Sequence, residues 1–170
     1  ANPVRAKQTI KFFKTGPGEY GEWDIFLGIT VPDTRLVLKN YIKKLKKSEN
    51  SDNSNHDNII ISQLYTDAKV LIMSPYHEER LLGVLIFTEI MDIAKKNNEK
   101  IKEIGEKYFS YKNQINNWDL VDVSSPQVIG IYRSILNSNE EKKFIKQCLT
   151  SNHLWTERIL ILSYFTDIKN

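Results

Sequence analysis

The segment INNWDLVDVSSP places a large aromatic and an acid on one side of a predicted helix. Asn116 or Asn117 can cap this helix. Trp118 and Asp122 lie four residues apart, which puts both side chains on the same helical face. With the two further aromatics and charges described next, this pair would make a surface suited to a flat or sugar-like ligand. Asp119 is better interpreted as a structural acid that caps or pairs within the helix.

The same arrangement recurs along the chain. Three predicted helix starts align on polar capping residues that are 42 and 36 residues apart, namely Ser74, Asn116 and Asn152. These spacings are typical of two-helix HEAT-type repeats. The sixth residue after each cap is charged, giving Arg80, Asp122 and Arg158. An aromatic precedes each charge by three or four positions, giving Tyr76, Trp118 and Trp155.

Two interpretations of the repeated charges stay open at this point. In a solenoid, equivalent helices of successive repeats line up along one concave face, so the three charges would form a row on a binding surface. Alternatively, the charges form a ladder of salt bridges between stacked helices, as is common in helical repeats.

The elements that position these residues are predicted to be helices. Apolar residues recur at helical spacing, and Gly and Pro become scarce after residue 32. Asn2 and Pro3 begin the first helix, KTGPGEYGEWD is a turn, and IFLGITVP is a buried connector rather than a strand. A polar segment at about 48–58 is predicted to be a flexible loop. Helices are predicted at residues 2–13, 32–45, 58–72, 75–96, 98–115, 117–136, 139–149 and 152–168.

Composition narrows the class of protein. The 170 residues suffice for one domain over 1–170, and the formal net charge of +3 permits a nucleic-acid partner without demanding one. Residues 1–50 hold ten Lys and Arg against five Asp and Glu. The single cysteine, Cys148, excludes an intrachain disulfide and indicates a reducing compartment. The three histidines lack metal-ligand spacing, and no apolar run is long enough to cross a membrane.

Four passages, in this order and at these spacings, resemble one known family: FFKTGPGEYGEWDIFLGITVPDTR, SPYHEERLLGVLIF, NNWDLVDVSSPQVIG and LWTERILILSYF. The chain is similar over essentially its whole length to the AlkD-type DNA alkylation repair family, which consists of glycosylases built from HEAT-like repeats. The resemblance implies an all-α superhelix that holds duplex DNA on a basic concave face. It also implies hydrolysis of the N-glycosidic bond of cationic alkylated purines, chiefly N7-alkylguanine and N3-alkyladenine, without drawing the base into a pocket.

The resemblance carries over to particular residues. The family's catalytic Asp matches Asp122, its Trp four residues earlier matches Trp118, and its catalytic-face Arg matches Arg158. The residues expected to bind DNA are Tyr20, Arg35, Arg80 and Trp155. The Phe12–Phe13 region is an alternative to Tyr20, and an ion pair between repeats is an alternative role for Arg80.

The resemblance also implies a monofunctional enzyme that needs no metal or organic cofactor. We expect a monomer in the cytoplasm that acts on duplex DNA and has no membrane partner. Two departures from the family indicate a chain that lacks one or more terminal repeats: family members have helical sequence before NPVRAK and a further DNA-facing aromatic after residue 170. The alternative function is a non-catalytic HEAT-like scaffold that binds DNA or protein.

Overall fold

The computed structural model describes residues 1–48 and 56–168. The described part is mainly helical and contains no β-strand, only an isolated bridge between Ile25 and Tyr76. The predicted all-α fold class is therefore confirmed. The helices are α1 (Pro3–Thr9), α2 (Val31–Ser48), α3 (His56–Ile72), α4 (His77–Ala94), α5 (Asn98–Ser110), α6 (Trp118–Ser134), α7 (Ser138–Leu149), α8 (Leu154–Ser163) and α9 (Phe165–Ile168). A 3₁₀ turn over Ile10–Phe12 follows α1.

The helix starts differ from the predicted ones by a residue or two. The N-caps of α6 and α8 are Asn117 and His153, so the repeat alignment on Asn116 and Asn152 lies one residue too early. An N-cap needs an extended backbone, which Asn117 and His153 have, whereas Asn152 has a left-handed φ of 50°. The single helix predicted over 152–168 is also divided, with Tyr164 between α8 and α9.

Only the two ends of the predicted flexible loop at about 48–58 lie within the described residues. α2 extends to Ser48 and α3 begins at His56, so both ends of the predicted loop are helical. Residues 49–55 lie outside the described residues. None of the helices in the described ranges is long and apolar enough to cross a membrane.

The chain divides into two compact units, Ala1–Ile86 and Phe87–Asn170. In the first unit, the predicted connector IFLGITVP is held from both sides. Asn2 donates its backbone N–H to the carbonyl of Leu27 (2.7 Å), and the buried Glu78 carboxylate accepts from the N–H groups of Leu27 (2.9 Å) and Gly28 (2.8 Å). Gly28 has a φ of 73°, and a Cβ there would lie 2.2 Å from the Asn2 carbonyl oxygen. Only glycine fits this position.

In the second unit, α6 packs against α5 and α8. The buried Tyr108 hydroxyl of α5 hydrogen-bonds to Ser124 of α6 at 2.6 Å. Gly130 lets the C-terminal part of the chain approach α6, because a Cβ there would lie 2.0 Å from Thr166 Oγ1. The core around this contact is apolar and includes Phe87, Ile115, Leu120, Val121, Val128, Ile129, Ile159 and Leu160. α6 and α8 are therefore fixed relative to each other, which matters because they carry the predicted catalytic residues.

Candidate active site

The first two turns of α6 carry the predicted aromatic and acid. Asn117 is fully buried, and its side-chain oxygen accepts the N–H of Trp118 at 2.8 Å, which starts the helix at the aromatic. The Trp118 side chain is 40% exposed, so it does not merely fill the core. Asp122 follows one turn later on the same face.

Asp122 and Arg158 form a two-pronged ion pair between α6 and α8. Arg158 Nε donates to one carboxylate oxygen and Nη2 to the other, each at 2.7 Å. The side chains are 36% exposed for Asp122 and 40% for Arg158, so the pair faces solvent. The hydrogen bonds that Arg158 donates to Asp122 raise the pKa of the Arg158 guanidinium above its ordinary value, against the opposing effect of desolvation. Parallel N–H donors fix the plane of the carboxylate as well as its position.

Buried hydrogen bonds hold the two helices in register beside this pair. Ser125 is fully buried and donates its hydroxyl to the backbone carbonyl of Ile159 at 2.7 Å. Ile159 directly follows Arg158, and Ser125 lies three residues after Asp122, so this bond joins the two helices next to the ion pair. Pro126 has no N–H, which deprives the Asp122 carbonyl of its normal helical donor.

Asp119 has the structural role predicted for it. Its carboxylate is buried and accepts the backbone N–H of Leu120 at 2.8 Å. It therefore supports the first turn of α6 and does not share the exposure of Asp122.

Arg80 lies in a different environment from Arg158. Its guanidinium is 7% exposed, pairs with Asp24 at 2.5 Å and donates to the carbonyl of Ser74 at 3.1 Å. His77 also contacts Asp24, through Nδ1 at 3.2 Å. The ion-pair alternative is therefore the one that this geometry favours, although the partner is the turn before the connector rather than another repeat. A DNA phosphate would have to displace Asp24 to reach Arg80.

The pKa of Asp24 reflects the same cluster. Burial acts to raise the pKa of this carboxyl, but the hydrogen bond with His77 and the charge of Arg80 outweigh burial and hold it below its ordinary value. Asp24 was missed by the sequence analysis. The only sequence signal for Asp24 is its position directly after Trp23 in the turn, and that signal is weak.

The other predicted DNA-binding residues differ in how exposed their side chains are to solvent. Trp155 of α8 is buried, which leaves little of its ring for a ligand. Arg35 is exposed on α2, and Tyr20 is part-buried in the turn before Trp23. The structure thus brings Trp118, Asp122 and Arg158 together in the second unit, while Tyr20, Arg35 and Arg80 belong to the first.

Neither a reactive cysteine nor a metal cluster is found among the described residues. Burial raises the pKa of the Cys148 thiol to about 12, so this cysteine is not a nucleophile at neutral pH. Within residues 1–48 and 56–168, no three His, Cys, Asp or Glu side chains are grouped so that they could hold a metal ion.

Comparison with known proteins agrees with the resemblance. Searches of curated proteins and of solved structures each find no significant match. A family model described as DNA alkylation repair enzyme matches residues 1–170. The chain therefore belongs to the family of DNA alkylation repair enzymes.

Proposed function

We propose that the chain is a monofunctional DNA glycosylase that hydrolyses the N-glycosidic bond of cationic alkylated purines, chiefly N7-alkylguanine and N3-alkyladenine, in duplex DNA. The observation that carries the proposal is the half-exposed Asp122 carboxylate, which Arg158 holds through two hydrogen bonds of 2.7 Å. Solvent access leaves the carboxylate open to a ligand as well as to Arg158. Trp118, on the same face and itself 40% exposed, adds an aromatic wall.

The chemistry needs one anion and no acid. A purine alkylated at N7 or N3 already carries a positive charge, so it leaves as a neutral base when the C1′–N bond breaks and the bonding electrons return to the purine. Positive charge then develops on the deoxyribose, and water adds to C1′ and loses a proton. A fixed carboxylate stabilises that developing charge and can accept the proton from the water. Asp122 has this role in the proposal.

Arg158 and Trp118 complete the site by binding the flanking groups. A guanidinium has five N–H donors and Asp122 takes two, so Arg158 can hold a DNA phosphate without releasing the carboxylate. The ring of Trp118 offers its π face to the partly positive C–H groups of the sugar. Arg35 and Tyr20 are proposed to add DNA contacts from the first unit.

The conditions of action follow from this chemistry. The reaction needs no metal and no organic cofactor, because the substrate already carries the charge that a Lewis acid would otherwise supply. We propose a monomer that acts on duplex DNA in the cytoplasm. Binding is expected to weaken steeply with rising salt, because phosphate neutralisation releases counterions.

The Asp122–Arg158 pair also fits a non-catalytic scaffold, in which it would only join α6 to α8. The two functions are separated by incubating the chain with methylated duplex DNA and measuring free N7-methylguanine by chromatography. The glycosylase releases free base and leaves an abasic strand that stays intact until it is treated with hot alkali. A chain that binds the duplex and releases no base would be a scaffold. Immediate strand cleavage would contradict the monofunctional assignment.

A further inference from the structure

A pocket of about 500 Å³ lies between α5 and α7 in the second unit, and no residue of the proposed active site lines it. Cavities of a few hundred Å³ are the usual size of small-molecule sites. Tyr132 lines the pocket from α6, and the walls on either side meet at an ion pair in which Lys102 Nζ lies 2.5 Å from a Glu140 oxygen. Three helices of one unit therefore build the pocket.

The lining of the pocket changes in character along its walls. About two helical turns after Lys102, Phe109 of α5 packs against Phe144 of α7 with ring centroids 4.9 Å apart. Just after α5, the Lys112 ammonium lies 5.5 Å from the centroid of the Phe109 ring. Lys143 lines the α7 wall next to Phe144. The pocket thus has an ion pair at one end, aromatic rings in the middle and a cation beyond them.

Tyr132 carries the inference, because its hydroxyl has no protein partner in the described ranges. The side chain is only 8% exposed, yet its hydroxyl is still reached by solvent. The fold holds the ring tightly: a Cβ at Gly105 would lie 2.4 Å from it, and the edge-on Phe144 ring has its centroid 5.6 Å away. A fixed phenol therefore presents an unused donor to the pocket.

The Tyr132 hydroxyl is a hydrogen-bond donor at neutral pH. Burial raises the pKa of the phenol, and the negative charge of Glu106 raises that pKa further. The charges of Lys102 and Glu140 also act on the phenol, which places its hydroxyl at the ion-pair end of the pocket. A buried phenol normally donates to the protein or to ordered water, and a pocket of this volume has room for a larger acceptor.

The charges around the pocket favour an anion that carries a hydrogen-bonding ring. Within the part of the chain that the structure describes, Lys112 and Lys143 have no ion pair, whereas Glu140 meets the charge of Lys102. Glu106 has no hydrogen bond or ion pair there either, so its carboxylate can accept N–H groups. An anionic group for the cations, a flat ring for the aromatic middle, and donor and acceptor atoms on one edge are together the properties of a nucleotide.

We propose that this pocket binds a nucleoside monophosphate, at a site separate from the proposed active site. The base edge accepts a hydrogen bond from the Tyr132 hydroxyl and donates N–H groups to Glu106. The base packs on the aromatic middle of the pocket, and the phosphate pairs with Lys112 and Lys143. Inorganic phosphate has no ring and a free nucleoside has no anion, so each supplies only part of these contacts.

The test is equilibrium dialysis of radiolabelled GMP against the full chain. One GMP is expected to bind per chain, and unlabelled guanosine and inorganic phosphate should each compete at least about ten-fold more weakly than GMP. Tyr132→Phe removes only the hydroxyl and is expected to raise Kd about ten-fold, which corresponds to about 1.4 kcal/mol at 25 °C. Lys143→Gln should also raise Kd, whereas the matched control Lys142→Gln, at the next exposed position of α7 and outside the pocket, should not.

Thermal unfolding and base release separate a lost contact from a damaged fold. Because the hydroxyl has no protein partner in the described ranges, Tyr132→Phe is expected to keep the parent Tm and the parent rate of base release. A lowered Tm would show that the hydroxyl serves the fold, and an unchanged Kd would show that it serves only water; either result overturns the inference.

Three further outcomes would overturn the inference as well: a parent chain that does not bind GMP, guanosine that competes as well as GMP, and Lys142→Gln that weakens binding as much as Lys143→Gln. All of these leave the proposed function standing, because that function is measured separately as release of N7-methylguanine.

Discussion

Asp122→Asn separates catalysis from architecture, because the amide keeps the size of the side chain and removes its charge. If Asp122 stabilises charge that appears only as the glycosidic bond breaks, its loss removes roughly 3 kcal/mol of transition-state stabilisation. That corresponds to about a hundred-fold slower release of base. Duplex affinity should stay the same or increase slightly, since one anion leaves a surface that faces phosphates.

The structure bounds the effect of the same change on stability. The ion pair is exposed to solvent by more than a third on both sides, so screening limits its contribution to about 0.5–1 kcal/mol of the free energy of unfolding. A structural acid would therefore show this small stability loss and no change in rate. The catalytic role predicts a large loss of rate, whereas a purely structural role predicts only the small loss of stability, so the substitution distinguishes the two roles.

The assay is single-turnover release of N7-methylguanine from methylated duplex DNA, with urea unfolding measured in parallel. Glu140→Gln is the matched control, because Glu140 pairs with Lys102 in the same unit and its side chain is 37% exposed, close to the value for Asp122. Glutamine also preserves the capping box of α7. An Asp122→Asn variant that excises base at the parent rate would refute the catalytic assignment and leave Asp122 as a link between helices.

Four further outcomes are expected. Arg158→Ala should weaken both duplex binding and base release, measured as Kd and single-turnover rate, because a phosphate clamp acts in the ground and transition states alike; loss of rate with unchanged Kd would exclude the clamp. Ser125→Ala should lower the free energy of unfolding, measured in urea, by about 1–2 kcal/mol and should slow base release, because the Ile159 carbonyl loses its buried donor. The control Ser134→Ala, on the exposed part of α6, should change neither quantity. Gly28→Ala should lower the free energy of unfolding by about 2 kcal/mol or more, because backbone strain and a clash with Asn2 add together. Gly18 has a φ of 77° and no atom within 4 Å of an added Cβ, so Gly18→Ala should show only the strain of about 1 kcal/mol. Burial, reinforced by the charge of Lys112, lowers the pKa of His153, so the stability that its neutral side chain gives as an N-cap is complete above the unfolded pKa near 6.5 and is lost as the pH falls. His153→Asn should flatten that part of the profile of unfolding free energy against pH, and an unchanged profile would show that His153 is not the cause.

Local sequence determined the helices and the shared face of Trp118 and Asp122. Helical spacing of apolar residues and polar caps are short-range properties, which is why the all-α class and the cap at Asn2 could be predicted and are confirmed. The error of one residue at the caps of α6 and α8 has a local cause as well. Adjacent polar residues compete for the cap, and backbone conformation decides between them.

Burial and pairing were decided by tertiary structure alone. Arg80 and Arg158 occupy equivalent positions in the repeat pattern, yet one is buried against Asp24, 56 residues away, and the other faces solvent on Asp122, 36 residues away. Likewise, nothing in the spacing of Trp155 or Trp23 separates a buried ring from an exposed one. A repeat pattern records which residues are equivalent along the chain. Their partners come from segments distant in sequence, so only the packed structure sets how exposed each side chain is and which charge it meets.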